Sequence, residues 1–144
     1  MASSPLIDSS GVLSLTVLSN GSPLADTTQI VSVEVSYSYN RIPYARLTIV
    51  DGDMPNATFP ESEADAFKPG SAITIQAGYA SVVTTLFEGV VVKHAIHISG
   101  ENDARLVLEC KDKVLAMTVG RKNANYVDMK DSDIMSKLIG AYPG

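Results

Sequence analysis

Cysteine is almost absent from this sequence, since Cys110 is the only one among 144 residues. A single thiol cannot form a disulfide within the chain, so nothing in the sequence calls for an oxidising compartment. Cys110 ends the alternating run Leu-Val-Leu-Glu-Cys over residues 106–110. We therefore expect a buried and unreactive thiol in a strand.

Clusters of basic residues are also missing. The chain has 11 Lys and Arg against 16 Asp and Glu, and its formal net charge is -5. Proteins that bind nucleic acid by neutralising phosphates carry a basic patch or stripe. The sequence therefore predicts no specific nucleic-acid partner.

The sequence has no long hydrophobic run. No apolar stretch reaches the roughly 18 residues of a membrane-spanning helix. Residues 1–5 (Met-Ala-Ser-Ser-Pro) have neither the basic nor the apolar part of a secretory signal. We expect a protein made in the cytoplasm without a Sec signal or a membrane span, an expectation that allows later delivery outside the cell as part of a machine.

What the sequence does contain is alternation of apolar and polar residues with a period of two, which is typical of half-buried strands. Gly89 interrupts the longest alternating run and predicts a bulge or a sharp bend. Residues 51–69 are rich in proline and acidic residues and predict a solvated surface loop. The predicted strands cover residues 12–18, 30–39, 44–50, 72–79, 83–98 and 104–110.

Near the end of the chain the pattern changes to that of a short helix, predicted over about 132–140. Asp131 or Ser132 would be its N-cap, and Asp133 in its first turn would favour the helix dipole. Its apolar residues fall on one face, which needs a partner that we expect beyond residue 144. The fold predicted from these patterns is all-β and mainly antiparallel, a small barrel or a sandwich, with a short C-terminal helix.

No catalytic, cofactor or metal site is predicted. His94 and His97 lie three apart in a predicted strand, so they point to opposite faces and cannot easily share a metal. The run that starts at Asp51 invites comparison with a calcium loop, but Pro55, Asn56 and Ser62 stand where that template needs Asp or Asn, Gly and Glu. Phosphate-binding loops and a nucleophile elbow are absent as well, so the sequence predicts a protein that is not an enzyme.

Three tyrosines leave an alternative open. Tyr37, Tyr39 and Tyr44 could stack on a sugar or a base, although tyrosines on the apolar face of a strand usually belong to a core or an interface. The alternative function is therefore a secreted β-sandwich module that binds carbohydrate or peptide.

Several segments, read in order, resemble one family of proteins. Together they are similar to the N-terminal region of VgrG-type spike proteins (the Rhs element Vgr group), relatives of the phage late control protein D and of the T4-type tail hub. The similarity runs from about residue 30 to residue 138. The segments that carry it are NRIPYARL (40–47), VDGD (50–53), FKPG (67–70), GY (78–79), LFEGVVVKH (86–94), LECKDK (108–113), MTVGRK (117–122) and KDSDI (130–134).

The resemblance implies a small β-barrel that takes part in a trimeric ring capping the tube of a contractile, phage-tail-like injection machine. It implies a β-barrel hub domain over 1–119, and over 120–144 the beginning of the following domain or a linker. The implied partners are two further copies of the full-length protein, an Hcp-like tail-tube protein, and other baseplate or spike components and effectors. Type VI secretion, an extracellular injection particle and a prophage tail all fit this pattern.

Overall fold

The computed structural model describes residues 13–53, 56–79, 82–100, 103–121 and 123–142. Val12 of the first predicted strand, and Met54 and Pro55 of the predicted loop, lie outside the described residues. The chain divides into two compact units, Met1–Asp112 and Lys113–Gly144. The predicted domain boundary after residue 119 concerns a longer protein and stays a prediction.

The first unit is built from one seven-stranded antiparallel sheet, which confirms the all-β prediction. Its strand order is β2-β1-β5-β6-β7-β4-β3. The strand bounds are β1 Leu13–Ser19, β2 Ser22–Pro23, β3 Ile30–Ser36, β4 Tyr44–Asp51, β5 Ala72–Tyr79, β6 Val82–Ile98 and β7 Ala104–Lys111.

The core follows from the alternation of the central strands. Along β4 and β7 every second residue is buried, and the residues between them are more exposed. Cys110 lies in this buried row, and burial raises the pKa of its thiol to about 12. Because the thiolate is the reactive form, the native thiol is inert at neutral pH. The fully buried residues of the two strands are Ala45, Leu47, Ile49, Leu106, Leu108 and Cys110.

The sheet curls around this core as an open barrel. In the described part of the unit only two short helical segments lie off the sheet, which is too little to cover its buried face. The sheet therefore covers itself, and Val17 of β1 joins the same buried cluster as Leu47 of β4. The two outermost strands, β2 and β3, share no ladder among the described residues. Instead, the hydroxyl of Tyr37, just after β3, donates a hydrogen bond of 2.7 Å to the carbonyl of Leu86 in β6.

Strand β6 changes partner near its middle. Its first half pairs with β5 up to Val90, and from Val90 onward it pairs with β7. Gly89 stands at this change, and a Cβ atom there would lie 2.3 Å from the carbonyl oxygen of Lys111. Only glycine lets the two backbones approach so closely, which explains the interruption seen in the sequence.

The predicted solvated loop over 51–69 is wrong in part, because the segment carries two short helical turns that pack on the barrel. Helix α1 spans Pro60–Glu63, and a 3-10 turn spans Asp65–Phe67. Phe67 belongs to the core and is 1% exposed. A further tie is the Ser19 hydroxyl, which donates a hydrogen bond of 2.6 Å to the carbonyl of Ala66. This helical segment therefore fills the space beside β1.

Asp51 holds the start of α1. Its side chain is buried, and its two carboxylate oxygens accept hydrogen bonds from the backbone N–H groups of Glu61 (3.0 Å) and Ser62 (2.9 Å). The N–H of Gly52 donates a third bond of 2.8 Å. The N-cap residue of α1, Phe59, makes no side-chain capping bond. A carboxylate from the end of β4 thus supplies the cap that the helix lacks locally.

The strand predicted over residues 30–39 ends earlier than expected. Strand β3 stops at Ser36 instead of reaching residue 39, and a bulge between Ile30 and Ser32 shifts its register. Tyr37 and Tyr39 therefore lie in the loop to β4, and neither belongs to the core. The alternation of tyrosine and serine continues the strand pattern in the sequence, but no ladder continues with it.

The second unit contains a 3-10 segment, Lys113–Thr118, and helix α2, Asp131–Ile139. The predicted short helix is thus present, but Lys130 is its N-cap residue, so the prediction of Asp131 or Ser132 was wrong. Both Asp131 and Asp133 lie in the first turn. Among the residues that the structure describes, no helix is long and apolar enough to cross a membrane. The large apolar residues exposed on α2 are Met135, Leu138 and Ile139.

Candidate interaction surface

The histidines do not form a shared site. His94 stands opposite Leu108 in the ladder with β7, and His97 stands opposite Arg105, so the two rings lie on opposite faces of the sheet. The Nε2 atom of His94 is buried and has no hydrogen-bond partner among the described residues. In the same part of the chain, no three His, Cys, Asp or Glu side chains are grouped so that they could hold a metal ion.

Two open edges of the sheet flank its four strands β6, β7, β4 and β3. In the described ranges, no residue forms a ladder on the outer side of β3. Strand β6 is likewise unpaired on one side after Val91. The backbone of Val91 forms hydrogen bonds with Gly70 and Ser71, and beyond this residue β6 pairs with β7 alone among the described residues. An open edge presents unpaired N–H and C=O groups, to which another strand can pair.

A row of charges crosses the four strands between these edges. Glu34 of β3 stands opposite Arg46 of β4, and Arg46 stands opposite Glu109 of β7. Lys93 of β6 completes the row opposite Glu109. The charges alternate in sign, so every neighbouring pair attracts. The row begins with a carboxylate at one open edge and ends with an ammonium group at the other.

The contacts within this row are those of a solvated face. The Arg46 guanidinium lies 3.3 Å from the Glu109 carboxylate, and the Lys93 ammonium lies 3.6 Å from the same oxygen. The Tyr44 hydroxyl donates a hydrogen bond of 3.0 Å to Glu34. Such exposed ion pairs contribute little to stability, roughly 0 to 1 kcal/mol each. The row therefore contributes little to holding the domain together.

Apolar side chains accompany the two open edges. Val31 on β3, and Ile96 and Ile98 on β6, are large and exposed. Ile96 and Ile98 stand opposite the buried residues Leu106 and Ala104, so they extend the inner face of the sheet beyond its covered part. Exposed apolar residues beside an unpaired edge are typical of a surface that a partner covers.

The tyrosine loop forms a second exposed surface. Tyr39 is fully exposed and Tyr37 is 61% exposed, and with Ser38 they line an open cavity of about 350 Å³. Partial burial raises the pKa of the Tyr37 phenol, and the negative charges of Asp112 and Glu88 raise it further. Tyr37 is held by its bond to the Leu86 carbonyl, whereas Tyr39 presents its whole ring to solvent.

A third feature is a crevice of about 300 Å³ between β2 and α1, with Glu61 in its wall. Burial raises the pKa of the Glu61 carboxyl, a hydrogen bond from Thr28 partly opposes this, and the nearby Asp51 raises it again. The Thr28 hydroxyl lies 3.3 Å from one Glu61 oxygen and 3.4 Å from the other. A negative charge on Glu61 is thus less stable in the crevice than it would be in open solvent.

Replacing Glu61 with glutamine should make the domain less sensitive to pH. A raised pKa in the folded state means that ionisation of Glu61 opposes folding, so its penalty is absent below the ordinary pKa of 4.5 and grows as the pH rises through the folded pKa. We expect the free energy of unfolding of Glu61→Gln, relative to the unmodified chain, to increase from about pH 4 to about pH 7. Urea denaturation across this range measures it. Glu63→Gln removes the same charge at an exposed position, and an equal pH trend in that variant would contradict the role of burial.

Comparison with known proteins places the chain in one family. No curated protein matches it. Among solved structures it is similar to the 43 kDa tail protein of prophage MuSo2 from Shewanella oneidensis, with 15% sequence identity and a TM-score of 0.49 over 73% of this chain. The match spans 30% of that protein. A family model described as the Alg8 N-terminal domain matches residues 9–143. The VgrG-type proteins are a different family, and the resemblance of this chain to them stays a prediction. The chain belongs to the Alg8 N-terminal domain family.

Proposed function

We propose that this chain is a structural part of the hub or spike of a contractile, phage-tail-like injection machine, and that it contributes to a trimeric ring that caps the tube. The observation that carries the proposal is the set of segments similar to VgrG-type proteins, which occur in the same order over most of the chain. Each segment is short, but their common order is specific. In this proposal the role is one of assembly and the chain is not an enzyme.

The geometry of the first unit supports a role in assembly. A ring component must present surfaces that repeat from one subunit to the next, and sheet edges do so through backbone groups. The open edges of β3 and β6, with exposed Val31, Ile96 and Ile98 beside them, are surfaces of this kind. In the proposed machine the neighbours are further copies of the protein, an Hcp-like tube protein and other baseplate components. The protein would be made in the cytoplasm and carried outward with the machine.

The mass of the natural protein that contains this chain tests the proposal. Light scattering after size exclusion should give three times the subunit mass, and negative-stain images should show a ring-shaped head. An Hcp-like tube protein should bind to one end of that ring. A monomer without such a head at high micromolar concentration would contradict the hub role.

A second candidate function rests on the tyrosine loop. The full exposure of Tyr39 and the open cavity that it lines with Tyr37 suit stacking on a sugar ring or a peptide. A glycan screen with the unmodified chain, Tyr37→Ala and Tyr39→Ala distinguishes the two functions. Binding that disappears in Tyr39→Ala would favour the module, and its absence from all three proteins would leave the assembly role.

A further inference from the structure

The charge row that crosses strands β3, β4, β7 and β6 has ends of opposite sign. Glu34 stands at the open edge of β3, and Lys93 stands at the open edge of β6. The next row on the same outer face crosses the four strands in the same way, from Ser32 through Thr48 and Val107 to Ala95. Two successive rows therefore run from edge to edge in a common register.

The strand directions at the two edges also match. Strand β6 is antiparallel to β7, β7 to β4, and β4 to β3, so β3 and β6 run in opposite directions. If a second copy is placed beside the first in the same orientation, its β3 meets the β6 edge of the first copy as an antiparallel neighbour. The sheet can then continue across the boundary without turning either copy over.

We propose that these two edges bind each other between copies of this chain, head to tail, with Glu34 of one copy opposite Lys93 of the next. This inference rests on the proposed assembly function and names the surface that carries it. The occupant of each edge is a second copy, because each edge presents the charge that the other lacks. The alternating row then continues from one copy into the next without a like-charged contact.

The same charges disfavour the symmetric alternatives. Pairing β3 with β3 brings two Glu34 carboxylates toward each other, and pairing β6 with β6 does the same for two Lys93 ammonium groups. Like charges opposite one another in a sheet are destabilising. The row thus selects the head-to-tail contact, which closes into a ring when the rotation between copies allows it. The same register places Val31, which is exposed at the edge of β3, opposite the exposed Ile96 of β6.

Disulfide cross-linking tests the proposed register between β3 of one copy and β6 of the next. Opposing Glu34 to Lys93 in antiparallel strands also opposes Ser32 to Ala95. The double variant Ser32→Cys with Ala95→Cys should therefore form a ladder of covalent oligomers under mild oxidation, seen on a non-reducing gel. The native Cys110 is buried and does not interfere. Each single-cysteine variant should form nothing larger than a covalent dimer. The double variant Ser32→Cys with His97→Cys, in which the second cysteine lies two residues beyond the position opposite the first, should form the ladder about tenfold more slowly.

Charge exchange supplies the control for specificity. In the double-cysteine background, Glu34→Lys alone or Lys93→Glu alone should slow ladder formation about tenfold, because both edges then carry one sign. Mixing these two variants should restore the ladder, since each now offers the charge that the other needs. Asp26→Lys also replaces a carboxylate with an ammonium group, but at an exposed residue outside the row, and it should have no effect on ladder formation.

Two results would overturn the inference. One is the absence of a ladder in the double-cysteine variant, and the other is a ladder that neither charge variant slows. If the natural protein is nevertheless a trimer by light scattering, the proposed hub function stands and only the edge contact fails. Thermal unfolding of every variant confirms that it is folded before the ladders are compared.

Discussion

The Phe67→Ala variant should be less stable than the unmodified chain by about 4 kcal/mol, the largest loss that we expect from a single substitution. Phe67 is 1% exposed and packs into the barrel core from the 3-10 turn that follows α1. Removing its ring leaves a cavity in a place where the flanking turn is tied to β1 by the Ser19 hydroxyl and cannot move in to fill it. Urea denaturation of the two proteins measures the difference.

Two further variants make this result specific. Phe67→Leu keeps most of the buried volume and should lose less than half as much stability. Tyr39→Ala removes an aromatic ring of similar size from a fully exposed position and should change stability by less than about 0.5 kcal/mol. A loss of under about 1 kcal/mol in Phe67→Ala would mean that the turn is not part of the cooperative core.

Asp51→Ala should cost about 3 kcal/mol, although it removes only a small side chain. The buried carboxylate accepts three backbone N–H bonds, two of them from the first turn of α1. Without it, the N–H of Ser62 stays buried and unpaired, and the helical segment loses its attachment to the end of β4. We expect both a lower midpoint in urea and faster proteolysis within residues 56–70.

The nature of the loss at Asp51 can be checked with asparagine. Asp51→Asn keeps one acceptor oxygen and should fall between alanine and the unmodified chain. Asp26→Ala, at an exposed turn, serves as the matched control for the loss of a carboxylate. Equal stability of Asp51→Ala and Asp26→Ala would show that the three hydrogen bonds contribute nothing net.

The strands could be predicted from the sequence because alternation with a period of two reports directly on a sheet with one buried face. For β5 the predicted and observed bounds coincide, and for β4, β6 and β7 they differ by one residue at one end. Strand β1 ends one residue later than predicted, and its predicted first residue, Val12, lies outside the described residues. There are two exceptions. The two-residue strand β2 was not predicted, and in β3 the residues Tyr37 and Tyr39 continue the alternation after the ladder has ended. Local pattern cannot distinguish a residue that continues a strand from one that enters a loop, since the difference lies in the neighbouring strand.

Other features needed information that is not local. Residues 60–67 form turns of four and three residues, which are too short to show helical periodicity, and the capping carboxylate of Asp51 comes from about ten positions earlier in the chain. The charge row was missed for a similar reason. Glu34, Arg46, Lys93 and Glu109 each occupy an ordinary polar position, and only the strand order brings them side by side.

The change of partner within β6 also governs how the domain bears a load. In the described part of the unit this strand belongs both to the ladder with β5 and to the ladder with β7. At the junction, Gly89 lies so close to the Lys111 carbonyl that the backbones have no free space between them. The two ladders meet at Val90, so a hinge between the two halves of the sheet would have to bend β6 itself. A push received by one half of the sheet is therefore passed to the other half through a continuous strand.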